Sequence, residues 1–257
     1  MSMRVNKRLI AIVGAVVVAA VAVVVVIMVT SGGGSAKTND VAKGGGPRPV
    51  TSEEAERLAT MGVKDYQDVG VAFHTLIVSP QGTVALNGDV DFHAIAGYGE
   101  VSGGKGRSFT LEWDGAALIA WPSKGKPTTP PATVPVSAPR ERALSPSTSS
   151  VDTVLAVLLG LGERQPDDAK QVQKGGARWL GTSKIDGKTV DVMQGPSAKG
   201  PGHGSDTSLD FWVDESGNLL RVDIYLNGST TPTQVDLDPS TYAPVRISPY
   251  LTGNGAS

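Results

Sequence analysis

The sequence predicts an α+β fold: an antiparallel sheet of about ten strands with a helical insert, preceded by one N-terminal transmembrane helix. Three observations predict it. Leu9 to Val29 is an unbroken apolar run. From Asp68 onward, short segments that alternate apolar and polar residues follow one another, separated by turn sequences such as Asp114-Gly115 and Asp186-Gly187. Between the two halves of that series, Val151 to Leu161 is apolar nearly all round, the pattern of a buried helix.

The apolar run has a membrane's length. At 1.5 Å rise per residue, residues 9–29 span roughly 31 Å as a helix, close to a bilayer's hydrocarbon core. Arg4, Lys7 and Arg8 precede it and hold that end in the cytoplasm. The chain therefore divides into a basic cytoplasmic segment (1–8), a transmembrane helix (9–29), a flexible tether (30–50) and an extracytoplasmic domain (51–250). The expected location is the plasma membrane, single-pass, with the C-terminal domain outside. The other reading is a cleaved signal peptide, for which Gly34-Ser35-Ala36 is a candidate site; an apolar core longer than the usual 7 to 15 residues favours the anchor. Both readings export the domain. The tether is rich in Gly, Ser, Lys and Pro, with a typical end-to-end distance of about 25 Å over twenty residues.

Composition excludes several classes. The formal charge is −2 and no block of like charges follows residue 50, so no nucleic-acid partner is expected. There is no cysteine to form a disulfide or carry a lipid. Gly-x-Ser-x-Gly, a phosphate loop and His-Glu-x-x-His are absent, so the expectation is no enzyme, no cofactor and no metal. His74, Asp89, Asp91 and His93 would share one strand face and could in principle ligate zinc, but their spacing is that of an ordinary solvated face. His203 sits in a loop too flexible to orient a catalyst.

Taken in order, Thr51-Ser52-Glu53-Glu54 opens a helix, a hydroxyl N-cap followed by acids, running toward a stop at Gly62. Asp68 to Ser79 and Thr83 to His93 form a hairpin about Ser79-Pro80-Gln81-Gly82. Pairing Ser79 with Val84 places Ile77 opposite Leu86, Phe73 opposite Val90 and Val71 opposite Phe92, all on one oily face, with a wet face behind. Strands follow at Ile95 to Ser102, Ser108 to Asp114 and Ala116 to Trp121. Pro122 to Ser150, dense in Pro, Thr and Ser, reads as a functional lid or as disorder. After the apolar helix, Pro166-Asp167-Asp168 begins another that Gly175 stops. Ala177 to Ile185, Thr189 to Gly195, Thr207 to Asp214, Leu219 to Leu226 and Thr233 to Tyr242 close the set.

The stretch 86–92 (Leu86-Asn87-Gly88-Asp89-Val90-Asp91-Phe92), the hairpin Lys184 to Val192, the run Phe211 to Val222 and the ending Tyr242-Ala243-Pro244-Val245-Arg246-Ile247 resemble the LppX/LprA/LprF/LprG family of actinobacterial lipoproteins. The resemblance covers roughly residues 52 to 249. It implies a LolA/LolB-like half-barrel, a strongly curved antiparallel sheet with helices on its concave face, and a hydrophobic cavity that holds acyl chains. This chain departs from the family in lacking the lipobox cysteine, with a transmembrane helix in its place.

The implied ligand is a lipid or another acyl-chain molecule. Taking an acyl chain from a bilayer forfeits about 0.8 kcal/mol per methylene, roughly 12 kcal/mol for a palmitoyl-sized chain, so a carrier needs a long apolar trough. The candidate lining is Val71, Phe73, Ile77, Leu86, Val90, Phe92, Phe109, Leu111, Trp113, Leu209, Phe211 and Val213, capped by Leu155, Leu158 and Leu159. The expected function is membrane-anchored lipid or hydrophobic-ligand binding or transfer in the cell envelope. The alternative is a non-enzymatic interaction or sensory domain in which the same residues fill a closed core, with Pro122 to Ser150 presenting the binding surface.

Overall fold

A computed structural model describes residues 46–79, 82–103, 107–123, 141–196, 208–226, 228–245 and 251. The run Leu9 to Val29, the tether as far as residue 45 and the segment 124–140 lie outside them. Among the described residues no helix is long and apolar enough to cross a membrane.

One open antiparallel sheet carries the domain. Its strands are β1 (Arg48–Pro49), β2 (Gly70–Ser79), β3 (Gly82–Asp91), β4 (Ala96–Gly103), β5 (Arg107–Asp114), β6 (Ala117–Ser123), β7 (Arg142–Ala143), β8 (Arg178–Ile185), β9 (Lys188–Gln194), β10 (Ser208–Asp214), β11 (Leu219–Tyr225) and β12 (Thr233–Asp238). Their order across the sheet is β1-β8-β9-β10-β11-β12-β2-β3-β4-β5-β6-β7. Twelve strands laid flat would span roughly 50 Å at ~4.8 Å per step. Yet Trp179 on β8 and Leu118 on β6 belong to one continuous buried cluster, so the sheet wraps around it.

Two helices occupy the concave side: α1 (Ser52–Gln67) and α2 (Ser150–Leu159); α3 (Ala169–Lys174) is a short turn packed beside α1. Helix α1 starts with a capping box in which Thr51 Oγ1 accepts from Glu54 N (3.2 Å) and Glu54 Oε2 accepts from Thr51 N (2.8 Å). Its buried residues Ala55, Leu58, Ala59 and Gly62 recur at helical spacing and form one stripe against the sheet. Helix α2 is capped by Ser149 and buries Val154, Leu155 and Leu158 completely.

The two rims of the sheet differ in chemistry. At one, β3, β5, β10 and β12 all end in aspartate: Asp91, Asp114, Asp214 and Asp238. Each carboxylate accepts backbone N–H groups of the turn that follows, such as His93 and Ala94 on Asp91 (2.9 and 2.8 Å) and Ala116 and Ala117 on Asp114 (2.7 and 2.8 Å). Asp214 and Asp238 do the same for Ser216 and Ser240 (2.9 Å each). The carboxylate fixes the turn by satisfying donors that the ladder leaves free. Among the described residues, the strand ends at the opposite rim include Arg48, Arg107 and Arg178 but no acid.

Several expectations change in the folded chain. The β2–β3 register pairs Ser79 with Gly82, so Ile77 lies opposite Val84, Phe73 opposite Gly88 and Val71 opposite Val90. The loop is two residues tighter than expected; an even shift leaves every side chain on its expected face. Helix α1 continues past Gly62, which is a close contact and not a stop: a Cβ there would sit 3.0 Å from Leu161 O, and Gly62 O accepts from Glu163 N. Helix α3 begins after its N-cap Asp168, leaving Pro166 outside it. Twelve strands replace about ten, because the two-residue edge strands β1 and β7 carry no sequence pattern.

The outer face is not uniformly wet. Over β4–β6 it carries a second apolar cluster of Ala96, Tyr98, Ala117, Ile119 and Trp121, covered by Val245 and Leu251 of the C-terminal segment. Ala117 to Trp121 is apolar at successive positions, which is how a strand buried on both faces reads.

Candidate functional site

The concave face brings the predicted lining together. Twelve of its fifteen residues are buried in one cluster that joins β2, β3, β5, β10 and helix α2: Val71, Phe73, Ile77, Leu86, Val90, Phe92, Leu111, Trp113, Leu155, Leu158, Phe211 and Val213. Leu159 and Leu209 are partly buried against it, and Phe109 is half-buried outside it.

Glycine makes room for the largest side chains. Trp113 lies over Gly97, where an added Cβ would fall 2.0 Å from the indole. Phe73 meets Trp113 edge to face at 6.1 Å, above Gly88. The Trp113 indole N–H is fully buried with no hydrogen-bond partner among the described residues. Deeper under β8 and β9 the interior is polar: Asp191 takes Arg57 Nη2 of helix α1 at 2.6 Å and Trp179 Nε1 at 2.8 Å.

Burial along the concave face is graded. Toward the aspartate rim, Val90, Trp113, Leu118 and Val213 are sealed, with helix α2 contacting β2, β3 and β4. Toward the arginine rim the inward positions of β4, β5 and β6 (Val101, Phe109, Ala120) and of β10 and β11 (Leu209, Leu226) are only partly buried. Between these two groups Ile77 and Val84 remain covered. Among the described residues, the partly buried positions of the concave wall thus lie toward the arginine rim, on either side of the β2–β3 hairpin.

His74, Asp89, Asp91 and His93 do not converge. His74 Nδ1 is hydrogen-bonded to Asn87 Oδ1, and the His93 ring packs on Tyr66 at 4.2 Å. Asp89 accepts from Ala243 N (3.0 Å) and Asp91 from Tyr242 Oη (2.6 Å), so both carboxylates hold the C-terminal segment to the sheet. No group of three metal-ligating side chains occurs among the described residues. A groove of about 930 Å³ does lie on this outer face, lined by polar groups including His74, Asn87, Arg221 and Asp236. Its mixed lining, which adds Leu220 and Pro239 to these polar groups, and its outer position distinguish it from the apolar concave face.

Sequence reasoning missed a buried pair of acids on the same outer face. Asp210 and Asp223 are direct cross-strand neighbours, 4% and 5% exposed. Tyr225 Oη donates to Asp210 (3.0 Å) and Trp212 Nε1 to Asp223 (3.1 Å). Burial raises both, and Asp223 reaches about 6 because Trp212 and Arg221 offset only part of that cost. The signal was the matching Asp position in two strands joined by one turn.

No protein-family model matches the chain, and no curated protein matches it. Solved structures that align over most of its length include the following three. The Mycobacterium tuberculosis lipoprotein LppX aligns at 17% identity over 77% of this chain and 96% of its own, with a TM-score of 0.41. A putative outer membrane lipoprotein-sorting protein domain from Vibrio parahaemolyticus aligns at 13% identity over 70% and 90%, with a TM-score of 0.30. A DUF1329 family protein from Desulfovibrio piger aligns at 12% identity over 80% and 99%, with a TM-score of 0.35.

Proposed function

We propose that this chain is a non-enzymatic protein of the cell envelope that holds a lipid or other acyl-chain ligand against the concave face of its sheet, tethered to the plasma membrane by Leu9 to Val29. The observation that carries the reading is the graded trough. Among the described residues the apolar wall of the sheet is buried toward the aspartate rim and partly exposed at Val101, Phe109 and Leu209 toward the arginine rim. A long apolar wall open at one end suits an elongated apolar ligand that enters lengthwise, whereas a structural core has no need of an open end. The sequence resemblance to the LppX/LprG lipoproteins points the same way. The helical anchor keeps any transfer within reach of the membrane surface, because such an insertion does not reverse.

A second reading rests on the twelve buried lining residues: the fold is kept, the core is filled, and the domain serves as an interaction module. Native mass spectrometry of protein purified from its own membranes separates the two. Bound lipid supports the first reading. A domain that comes out empty and takes up no fluorescent fatty acid supports the second. Leu209→Asp at the open end should abolish uptake with little loss of stability, since Leu209 is only partly buried. Val213→Trp, placed where exposure is 0%, should overpack and cost about 1–3 kcal/mol in a filled core.

A further inference from the structure

We infer that Asp210 and Asp223, with the side-chain amides of Gln194 and Gln234, form a binding site for a divalent cation of calcium's kind on the outer face of the sheet. The inference is independent of what the concave face holds. The four residues make one row across four neighbouring strands. Gln194 of β9 is opposite Asp210 of β10, Asp210 opposite Asp223 of β11, and Asp223 opposite Gln234 of β12. Residues directly opposite in an antiparallel pair share a face, with Cβ atoms about 4.5–5.5 Å apart. The two carboxylates therefore stand side by side, with a longer amide side chain one strand away on either flank. Each carboxylate gives one oxygen to a neutral donor: Asp210 Oδ2 accepts from Tyr225 Oη (3.0 Å) and Asp223 Oδ2 from Trp212 Nε1 (3.1 Å). The other two oxygens, Asp210 Oδ1 and Asp223 Oδ1, are buried with no hydrogen-bond partner among the described residues, and so is Gln234 Nε2. Only six buried side-chain polar atoms among the described residues lack a partner, and three of them meet in this row. Unsatisfied polarity is concentrated here, which is the mark of a missing ligand.

Charge and donor type select the ligand. The charged groups facing the pair are Arg221 and Asp236, and they bond each other (2.5 Å), with Arg221 also stacked over Trp212 at 5.0 Å. Arg178 lies next in the row beyond Gln194, but it is exposed and donates to Pro47 O (3.1 Å). Two buried negative charges thus remain, and one divalent cation balances both where a single proton balances half. Gln194 lowers Asp210 and Gln234 lowers Asp223, so both amides face the carboxylates. A half-turn of an amide exchanges its nitrogen for its oxygen, which converts the stranded Gln234 donor into a further ligand. No third acid or histidine joins them among the described residues, so the set is carboxylate and amide oxygen throughout. Such hard oxygen donors suit calcium, and so few charged ligands imply a dissociation constant of roughly 10⁻⁴–10⁻³ M. Magnesium gives up its water more reluctantly and suits buried oxygens less well.

Terbium reports the site directly, because the Trp212 indole is bonded to Asp223. The other three tryptophans lie elsewhere, Trp113 and Trp179 in the concave cluster and Trp121 on β6. Full-length protein stripped with EDTA is titrated with terbium chloride under tryptophan excitation. Its thermal melt is then recorded in calcium or magnesium chloride at matched ionic strength. The expected result is sensitised terbium emission that calcium competes away. Calcium at ten times its dissociation constant should also raise the melting temperature by about 3–6 °C. Asp210→Asn/Asp223→Asn keeps an acceptor for Tyr225 and for Trp212 and should lose both signals. In EDTA at pH 8 that variant should melt no lower than wild type, so a lost response is not a lost fold. Gln234→Ala should weaken calcium binding several-fold and leave the melt in EDTA little changed. Emission or a calcium shift that survives in the double variant places the cation elsewhere, for instance on the aspartate rim, and overturns the inference. A calcium response no larger than magnesium's marks charge screening and overturns it too. So does no response at about 10 mM calcium, well above the weakest affinity expected, which leaves a shared proton or a water between the carboxylates.

Discussion

Both edges of the sheet enter a helix through the same clamp, and the two copies differ mainly in burial. At one edge Arg48 of β1 grips Glu54, the third residue of helix α1, with two hydrogen bonds of 2.7 Å. At the other, Arg142 of β7 grips Asp152, the third residue of helix α2, at 2.6 and 2.7 Å. In each case the arginine also donates to the carbonyl of the next residue, Pro49 or Ala143. Each acid sits three residues after a hydroxyl N-cap, Thr51 or Ser149. The device closes a two-residue edge strand onto a helix start, which keeps the edge too short to pair with another chain. The Asp152 side chain is 0% exposed against 9% for Glu54, and Arg142 is 29% exposed against 42% for Arg48. The comparison teaches that one geometry can seal a carboxylate completely at one edge and leave it closer to water at the other.

The largest effect expected from that difference is at Arg142. Burial raises the Asp152 carboxyl, but Arg142, Ser145 N and Ser149 together outweigh it and hold the group below the usual range. Arg142→Ala leaves this carboxylate buried without its cation and should cost about 3–5 kcal/mol in urea unfolding at pH 7. Arg48→Ala should cost less, because Glu54 and its partner lie closer to water, which replaces part of the guanidinium's contribution. Equal losses at the two edges would sink the comparison.

Asp223 sharpens it from the other side, as a buried carboxylate whose nearest cation is engaged elsewhere: Arg221 Nε bonds Asp236 Oδ1 at 2.5 Å. Asp223 is raised to about 6, and its neighbour Asp210 is raised as well. A carboxyl raised in the folded state binds its proton more tightly there than in the unfolded chain. Stability should therefore increase as pH falls from above 6 toward 4. Asp223→Asn keeps an acceptor for Trp212 and removes the buried charge. It should stabilise the domain at pH 8 by about 1–2 kcal/mol and flatten the rise. Thermal melts between pH 4 and 8 read both, and a wild-type curve already flat would refute the account.

How much of this was legible in the sequence follows from where each signal lies. Alternation placed the strands, and the concave lining came out on one face even though the β2–β3 register was two residues off, because an even slip preserves the face. The Thr51–Glu54 box was visible as a hydroxyl followed by acids. Its twin was not, since Ser149 and Asp152 sit at the end of a Pro-rich stretch read as lid or disorder; the matching spacing was the available clue. The second apolar layer on the outer face was hidden for another reason. Its cover, Val245 and Leu251, is far in sequence from Ile119 and Trp121, and periodicity reports only that a face is apolar, never what lies on it. The difference in exposure along the concave wall was beyond sequence altogether, because Leu209 and Val213 alternate identically and differ only in what packs over them.

The smallest effect belongs to Glu54. Arg48 lowers it to about 2, against a smaller opposing effect of burial and with help from Thr51 N. Glu54→Gln retains an oxygen for the Thr51 N–H and loses only the ion pair, so the expected loss is under about 1 kcal/mol at pH 7. The sign is that of a depressed carboxyl: the contribution is full above the unfolded value of 4.5 and disappears as pH falls through about 2. Wild type and variant should therefore melt apart at pH 7 and together near pH 2, with 1 M salt closing most of the gap at pH 7. The Asp152 clamp, whose carboxylate is closed to water, should keep its advantage in the same salt. If salt weakened both clamps alike, burial would not be what separates them.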